Sequence, residues 1–195
     1  MIIRRKVYKI SLFFKYMNYV EQRILMNRDE IDLTLKRISE EIIHDSSISQ
    51  NENLLFLGIN SGGVPLTERI VQILASKRVN VPYGQIDPYH YRDDKNMRPK
   101  KINIGDNIPG NSVEGRTIIL IEDDFFTGRT ALACIKRVGD YGRPCSVKLA
   151  TLVFREGHRQ YPITPDYIGI SILTNTNWFV RVDGLDRVVI GEKIE

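Results

Sequence analysis

Three consecutive acids, Glu122, Asp123 and Asp124, are followed after Phe125-Phe126 by Thr127-Gly128-Arg129-Thr130. The second group supplies two hydroxyls, a glycine that lets the backbone curl, and the first N–H groups of a following helix. Unpaired amides and the positive end of a helix dipole favour a phosphate monoester at such a turn. Carboxylates just upstream cannot face the same phosphate without repulsion. Glu122 and Asp123 are therefore expected to accept hydrogen bonds from something uncharged attached to it, such as the hydroxyls of a pentose. A plainer reading stays open, in which the acids are a solvated strand end and the Thr-Gly pair merely caps a helix. The ordered combination favours a sugar-phosphate cradle. No Gly-x4-Gly-Lys-Ser/Thr loop occurs, and no GxGxxG turn opens a helix, which excludes the common nucleotide-binding turns.

The elements that must hold these residues alternate. Thr117 to Ile121 is an apolar run of strand length, and Ala131 to Val138 reads as a helix closed by Gly139 and Gly142. A similar unit lies earlier: the strand Leu54 to Ile59, the polar turn Asn60-Ser61-Gly62-Gly63, and a helical pattern from Val64-Pro65 to about Ala75. Leu33, Ile38, Ile42 and Ile43 recur at helical spacing after the polar group Asn27 to Asp29, predicting an amphipathic helix over Glu30 to Asp45. Ser146 to Phe154, Tyr167 to Leu173 and a stretch within Val79 to Tyr91 supply further strands. The alternation predicts an α/β fold with a mostly parallel twisted sheet flanked by helices. Such sheets bind ligands at the carboxyl ends of their strands, where both polar turns would sit. Arg92 to Arg116 lacks apolar periodicity and reads as a flexible lid loop.

The chain has 195 residues, 42% hydrophobic and 27% charged, with a net charge of +4. The first 28 residues carry +6 and the remainder −2, so the basic character belongs to the front end and weakens a nucleic-acid reading of the domain. The expected organisation is a basic extension over 1–20, either a flexible overhang or a segment lying on an anionic membrane, followed by a single domain over 21–195. The apolar run Ile10 to Phe14 is too short for a signal peptide or a span, and a cytoplasmic protein is expected. Cys134 and Cys145 form no CxxC and have no neighbouring His cluster, pointing to buried reduced thiols rather than zinc.

The segment Ile118 to Thr130 resembles the 5-phosphoribosyl 1-pyrophosphate (PRPP) binding motif of type I phosphoribosyltransferases. Gly58 to Glu68, Asp87 to Asp94, Gly142-Arg143-Pro144, Gly157-His158-Arg159 and Pro165 to Gly169 narrow the resemblance to the PyrR family of bifunctional pyrimidine-operon regulators and uracil phosphoribosyltransferases. The similarity runs from about Gln22 to the C-terminus. It implies PRPP binding by Glu122, Asp123, Asp124, Thr127, Gly128, Arg129 and Thr130, with Glu122 and Asp123 on the ribose hydroxyls and Thr127 to Thr130 on the 5-phosphate. It further implies a pyrophosphate loop at Asn60, Ser61, Gly62 and Gly63, a lid beginning at Arg92, and a small hood over the base including Tyr167 and Ile168. Arg143, His158 and Arg159 would contact a messenger-RNA leader. Mg²⁺ would be held through PRPP rather than by protein ligands, and uracil, UMP and other uridine nucleotides would be the remaining ligands. A homodimer or higher homo-oligomer and no membrane association are expected. Two alternatives accompany this reading: a nucleotide-sensing RNA-binding regulator with little turnover, and a phosphoribosyltransferase for another base.

This chain departs from the family pattern in places that bear on chemistry. Asn60-Ser61-Gly62-Gly63 stands where the family has a basic residue followed by Thr-Arg-Gly, so two cations are missing beside the leaving group. Asp124 is an acid where the family carries an apolar residue. Glu40, Thr164 and Ile170 occupy positions that are often basic, Phe154 replaces an acid, and Glu156 is inserted. Loss of a preorganised cation lowers such a rate on the order of 10²-fold, and returning one through Gly62→Arg is expected to raise activity.

Overall fold

The computed structural model describes residues 19–45, 48, 53–92 and 105–193. In chain order the elements are β1 (Tyr19–Asn27), α1 (Arg28–His44), β2 (Leu54–Ile59), α2 (Asn60–Ser76), β3 (Tyr83–Ile86), β4 (Thr117–Phe125), α3 (Arg129–Val138), β5 (Ser146–Glu156), β6 (Tyr167–Leu173), β7 (Trp178–Asp183) and β8 (Arg187–Lys193). Short 3₁₀ turns lie at Tyr89–Tyr91, Pro109–Asn111 and Gly139–Tyr141. The expected extension over 1–20 falls outside the described residues up to position 18. Tyr19 and Val20 already belong to β1, paired with Lys193 and Glu192, so that boundary moves forward. Residues 93–104, in the expected lid, also lie outside the described residues.

Local chemistry explains where the elements start. Asn27 Oδ1 accepts from the Glu30 amide at 3.0 Å, and Glu30 Oε2 accepts from the Asn27 amide at 2.8 Å. This reciprocal cap starts α1 at Arg28, two residues ahead of the position that apolar spacing indicates. The helix buries Ile31, Leu35, Ile38 and Ile42.

Five parallel strands in the order β3-β2-β4-β5-β6 make the central sheet. On β4, Ile119 and Ile121 enter the core shared with α1, α2 and the second sheet, while Ile118 and Leu120 enter the core shared with α3. Alternate residues of a strand face opposite sides, so helices cover both faces. After β2 the chain adds β3 on one side and β4 on the other. The strand order reverses there, which opens a crevice at the carboxyl ends of β2 and β4.

A second, antiparallel sheet of order β1-β8-β7 packs on the same core as α1 and α2. It is not among the elements read from the sequence, although Asp183-Gly184 between two apolar runs is a hairpin signal. Tyr167 and Ile168 open β6, the edge strand of the parallel sheet, where they pair with Ala150 and Thr151. The Tyr167 ring is buried and its hydroxyl donates to Asp45 Oδ2 at 2.6 Å, so it is a core residue packed toward the end of α1. Burial also divides the two cysteines: Cys134 is buried as expected, but Cys145 is exposed. No helix among the described residues is long and apolar enough to cross a membrane.

The first turn of α2 lies directly on the sheet. A Cβ on Gly63 would overlap the carbonyl oxygen of Ile121, and one on Gly58 would come within 2.7 Å of Val64 Cα and 2.8 Å of Thr67 Oγ1. Thr67 Oγ1 in turn donates to Gly63 O at 2.8 Å. Gly63→Ala pushes a carbon into backbone and is expected to lower stability by about 1–3 kcal/mol, measured as a shifted urea midpoint at unchanged slope.

Candidate active site

The strand that carries the acids runs further than its apolar part. β4 continues through Glu122, Asp123 and Asp124 to Phe125, so the acids sit in extended backbone rather than in a turn. Their carboxylates meet three different neighbours.

Glu122 is 6% exposed, and its Oε2 has no hydrogen-bond partner. Burial pushes its pKa well above the usual carboxylate range, with Asp123 and Asp124 adding to the rise; the Arg92 guanidinium and the Thr130 hydroxyl oppose it. Asp123 lies against the first turn of α2: a Cβ on Gly62 would overlap its carboxylate, with Oδ1 at 2.8 Å. Asp124 forms an ion pair with Arg155, Nη1 to Oδ2 3.8 Å, while its Oδ1 is buried without a partner. Burial raises the Asp124 pKa to about 7, against the lowering influence of Arg155.

The four residues read as a pyrophosphate loop are not a loop. Asn60, Ser61, Gly62 and Gly63 form the first turn of α2, with Asn60 in the left-handed region at φ 53°, a conformation that asparagine tolerates better than most residues. The amides of this turn are helix-end donors, and no acid occupies the turn to compete for them. A Cβ at position 62 would meet only the movable end of the Asp123 side chain, so Gly62→Arg returns its cation once that carboxylate shifts.

Gly128 caps α3 at φ 81° and has no side chain to offer, which leaves the amide end of a ten-residue helix beside Thr127 and Thr130. The Thr127 carbonyl accepts from the Gln160 amide at 3.0 Å. Arg129 turns outward, its Nε donating to Gln160 Oε1 at 2.9 Å and its guanidinium 5.6 Å from the Tyr161 ring centroid.

Arg92 reaches this end and donates to Thr130 Oγ1. A polar network fixes the backbone before it. The Tyr91 hydroxyl donates to Asp140 at 2.7 and 2.8 Å, and Arg137 joins Asp140 Oδ2 at 2.6 Å to Asp106 Oδ2 at 2.7 Å. Asp106 also accepts from the Tyr141 hydroxyl and the Asp87 amide, both at 2.6 Å.

Of the residues expected to touch RNA, Arg143 and Arg159 are exposed. His158 is half-buried: its Nε2 lies 2.7 Å from Thr174 O, and its ring centroid is 4.6 Å from that of Phe126. Two residues beside the acids went unread in the sequence. Arg155 is 4% exposed, lies 3.9 Å over the Phe126 ring, and donates to Thr174 Oγ1 at 3.1 Å and to Trp178 O at 2.8 Å. Trp178, the single tryptophan, begins β7 in the second sheet. An arginine at the end of an apolar run was the available signal.

Among the described residues no group of three or more His, Cys, Asp or Glu side chains is arranged to hold a metal ion. The acids supply hard oxygens without a cage, a donor set suited to Mg²⁺ that keeps most of its ligands on phosphate and water.

The raised Asp124 pKa gives a stability signature. Between the unfolded value near 4 and about 7 the native carboxyl keeps a proton that the unfolded chain has lost, so stability falls as pH rises through that window. Asp124→Asn removes this dependence. It is expected to be more stable than the parent at pH 8, by up to about 4 kcal/mol, and to match it near pH 4. Urea unfolding at both pH values checks this; a difference independent of pH would contradict it.

The phosphoribosyl transferase domain family matches residues 26–187. The bifunctional protein PyrR of Corynebacterium glutamicum is 35% identical over 174 residues, covering 85% of this chain and 90% of its own. That of Chloroflexus aurantiacus is 36% identical over 175 residues, covering 87% and 94%. Among solved structures, the hypoxanthine phosphoribosyltransferase of Trypanosoma cruzi superposes with a TM-score of 0.66 at 20% identity, covering 89% of this chain and 98% of the other, a likeness of fold. With the acid strand, the glycine-capped helix and the opposed helix end brought to one crevice, the chain belongs to the PyrR family of the type I phosphoribosyltransferases.

Proposed function

We propose that this protein transfers the phosphoribosyl group of PRPP to uracil, giving UMP and diphosphate. The observation that carries the reading is the crevice between β2 and β4, where two helix N-termini flank a strand bearing adjacent carboxylates. The amides opening α3, with Thr127 and Thr130, take the 5-phosphate. Glu122 and Asp123 accept hydrogen bonds from the ribose hydroxyls, and the amides of Ser61, Gly62 and Gly63 face the diphosphate. Bond formation from uracil N1 to the anomeric carbon accompanies release of the diphosphate oxygen, and the N1 proton passes to solvent or to the departing diphosphate. Positioning and charge supply the acceleration. Mg²⁺, when bound, neutralises the diphosphate as it leaves; Asp123 is the carboxylate beside the helix end where that charge gathers.

The base lies between the carboxyl edge of the parallel sheet and the second sheet, with Trp178 and Arg155 at its border. Arg92 supplies the one guanidinium that the described residues place against the Glu122 and Thr130 pair. It partly makes up for the cations missing from the α2 turn. Regulation of pyrimidine genes through a messenger-RNA leader is a second reading, favoured by the bifunctional relatives and by exposed Arg143 and Arg159. A cytoplasmic homodimer completes the proposal, with the exposed Leu33 on α1 and Ile24 on β1 as apolar surface for self-association.

Incubation with PRPP, uracil and Mg²⁺ is expected to form UMP, resolved by chromatography; no UMP above the protein-free rate overturns the reading, and preference for another base corrects its specificity. Asp123→Asn is expected to weaken PRPP binding about tenfold or more, by loss of a charge-assisted hydrogen bond, with an unchanged thermal midpoint. Titration of PRPP by calorimetry checks this, and undiminished affinity would remove Asp123 from the pentose. For the second reading, a leader-RNA titration should show salt-sensitive binding that uridine nucleotide alters.

A further inference from the structure

Arg155 makes no contact that the transfer chemistry requires, yet it is among the most buried charges in the described structure and every face of it is used. Its Nε donates to Thr174 in the connection from β6 to β7, its Nη2 donates to the carbonyl of Trp178 at the start of β7, its plane covers Phe126, and its Nη1 faces Asp124 on β4. These partners belong to both sheets. Thr174 is held a second time, by His158 Nε2 at 2.7 Å from its carbonyl and 3.0 Å from its hydroxyl. Apart from Arg155, the charged or ionisable groups facing Asp124 are Asp123 and Glu122 on its own strand, while His158 approaches through Phe126.

We propose that Arg155 is a positioning residue that fastens the second sheet over the acid strand. An arginine suits the task because its planar fork serves a carbonyl, a hydroxyl and a carboxylate at once while its face lies on an aromatic ring. The fastening acts on Trp178, at the border of the base subsite, and leaves Asp123 and the α3 amides untouched. Its effect therefore falls on the base and not on the sugar phosphate. The kinetic part of this inference rests on the phosphoribosyl-transfer reading, while the conformational part stands without it.

The single tryptophan makes the fastening visible without activity. Emission from Trp178 in the full chain is expected to move to longer wavelength in Arg155→Met and to return part of the way in Arg155→Lys; unchanged emission in Arg155→Met overturns the proposal. In steady-state assays Arg155→Met is expected to raise KM for uracil tenfold or more with KM for PRPP within about twofold, and Arg155→Lys to recover part of the loss; equal rises in both KM values overturn it. Should Arg155→Met fail to fold, Arg155→Lys carries the same split in smaller measure. Absence of any turnover in the parent protein counts against the transfer reading alone, and the Trp178 emission then decides the fastening.

Discussion

The closeness of α2 to β4 governs the rest of the site. A helix opening on Gly62 and Gly63 approaches a strand to a distance that any side chain would forbid: Gly63 lies on the Ile121 carbonyl and Gly62 on the Asp123 carboxylate. That approach closes the crevice where the strand order reverses and brings a helix amide end beside an acid without a second cation between them. It also makes the glycines an alternative to the basic loop that the family pattern carries. A larger residue at position 62 requires the Asp123 carboxylate to shift.

Charge is the second constraint. Three successive carboxylates on one strand end would repel each other and lose solvation together, and the strand spreads them among different partners. Glu122 turns to Arg92 and Thr130, Asp123 to the α2 turn, and Asp124 to Arg155. Two arginines thus stand on two of the acids, each anchored by a further network: Arg92 follows Tyr91 on Asp140, and Arg155 is held by Thr174 and Trp178. An acid strand that receives a polyanionic substrate depends on such arrangement, since the ordinary carboxylate state of either buried acid would oppose both folding and binding.

Much of this architecture is legible in the order of residues. The apolar runs Leu54–Ile59 and Tyr167–Leu173 are strands at the residues where the sequence places them, and the α/β alternation follows from periodicity alone, because burial of one face imposes a period that composition reveals. The cradle is legible for a different reason. A phosphate-binding helix end and its neighbouring acids are contiguous in sequence, so Glu122 to Thr130 can be recognised without knowing what surrounds them.

What lay out of reach depends on contacts between residues distant in the chain. The second sheet joins Tyr19–Asn27 to Arg187–Lys193, and no local pattern specifies a partner so far away. For the same reason the burial of Tyr167, the contact of His158 with Thr174, and the meeting of Arg155 with Asp124, Phe126 and Trp178 could not be read locally. The chain by itself determined the periodic elements and the contiguous acids and Thr-Gly turn on which the proposed cradle rests, since both are written within a few turns of backbone. The tertiary structure alone decided which way each carboxylate faces, which of them burial pushes toward the neutral form, and how close Gly62 brings α2 to Asp123, because desolvation and steric contact are properties of the packed whole.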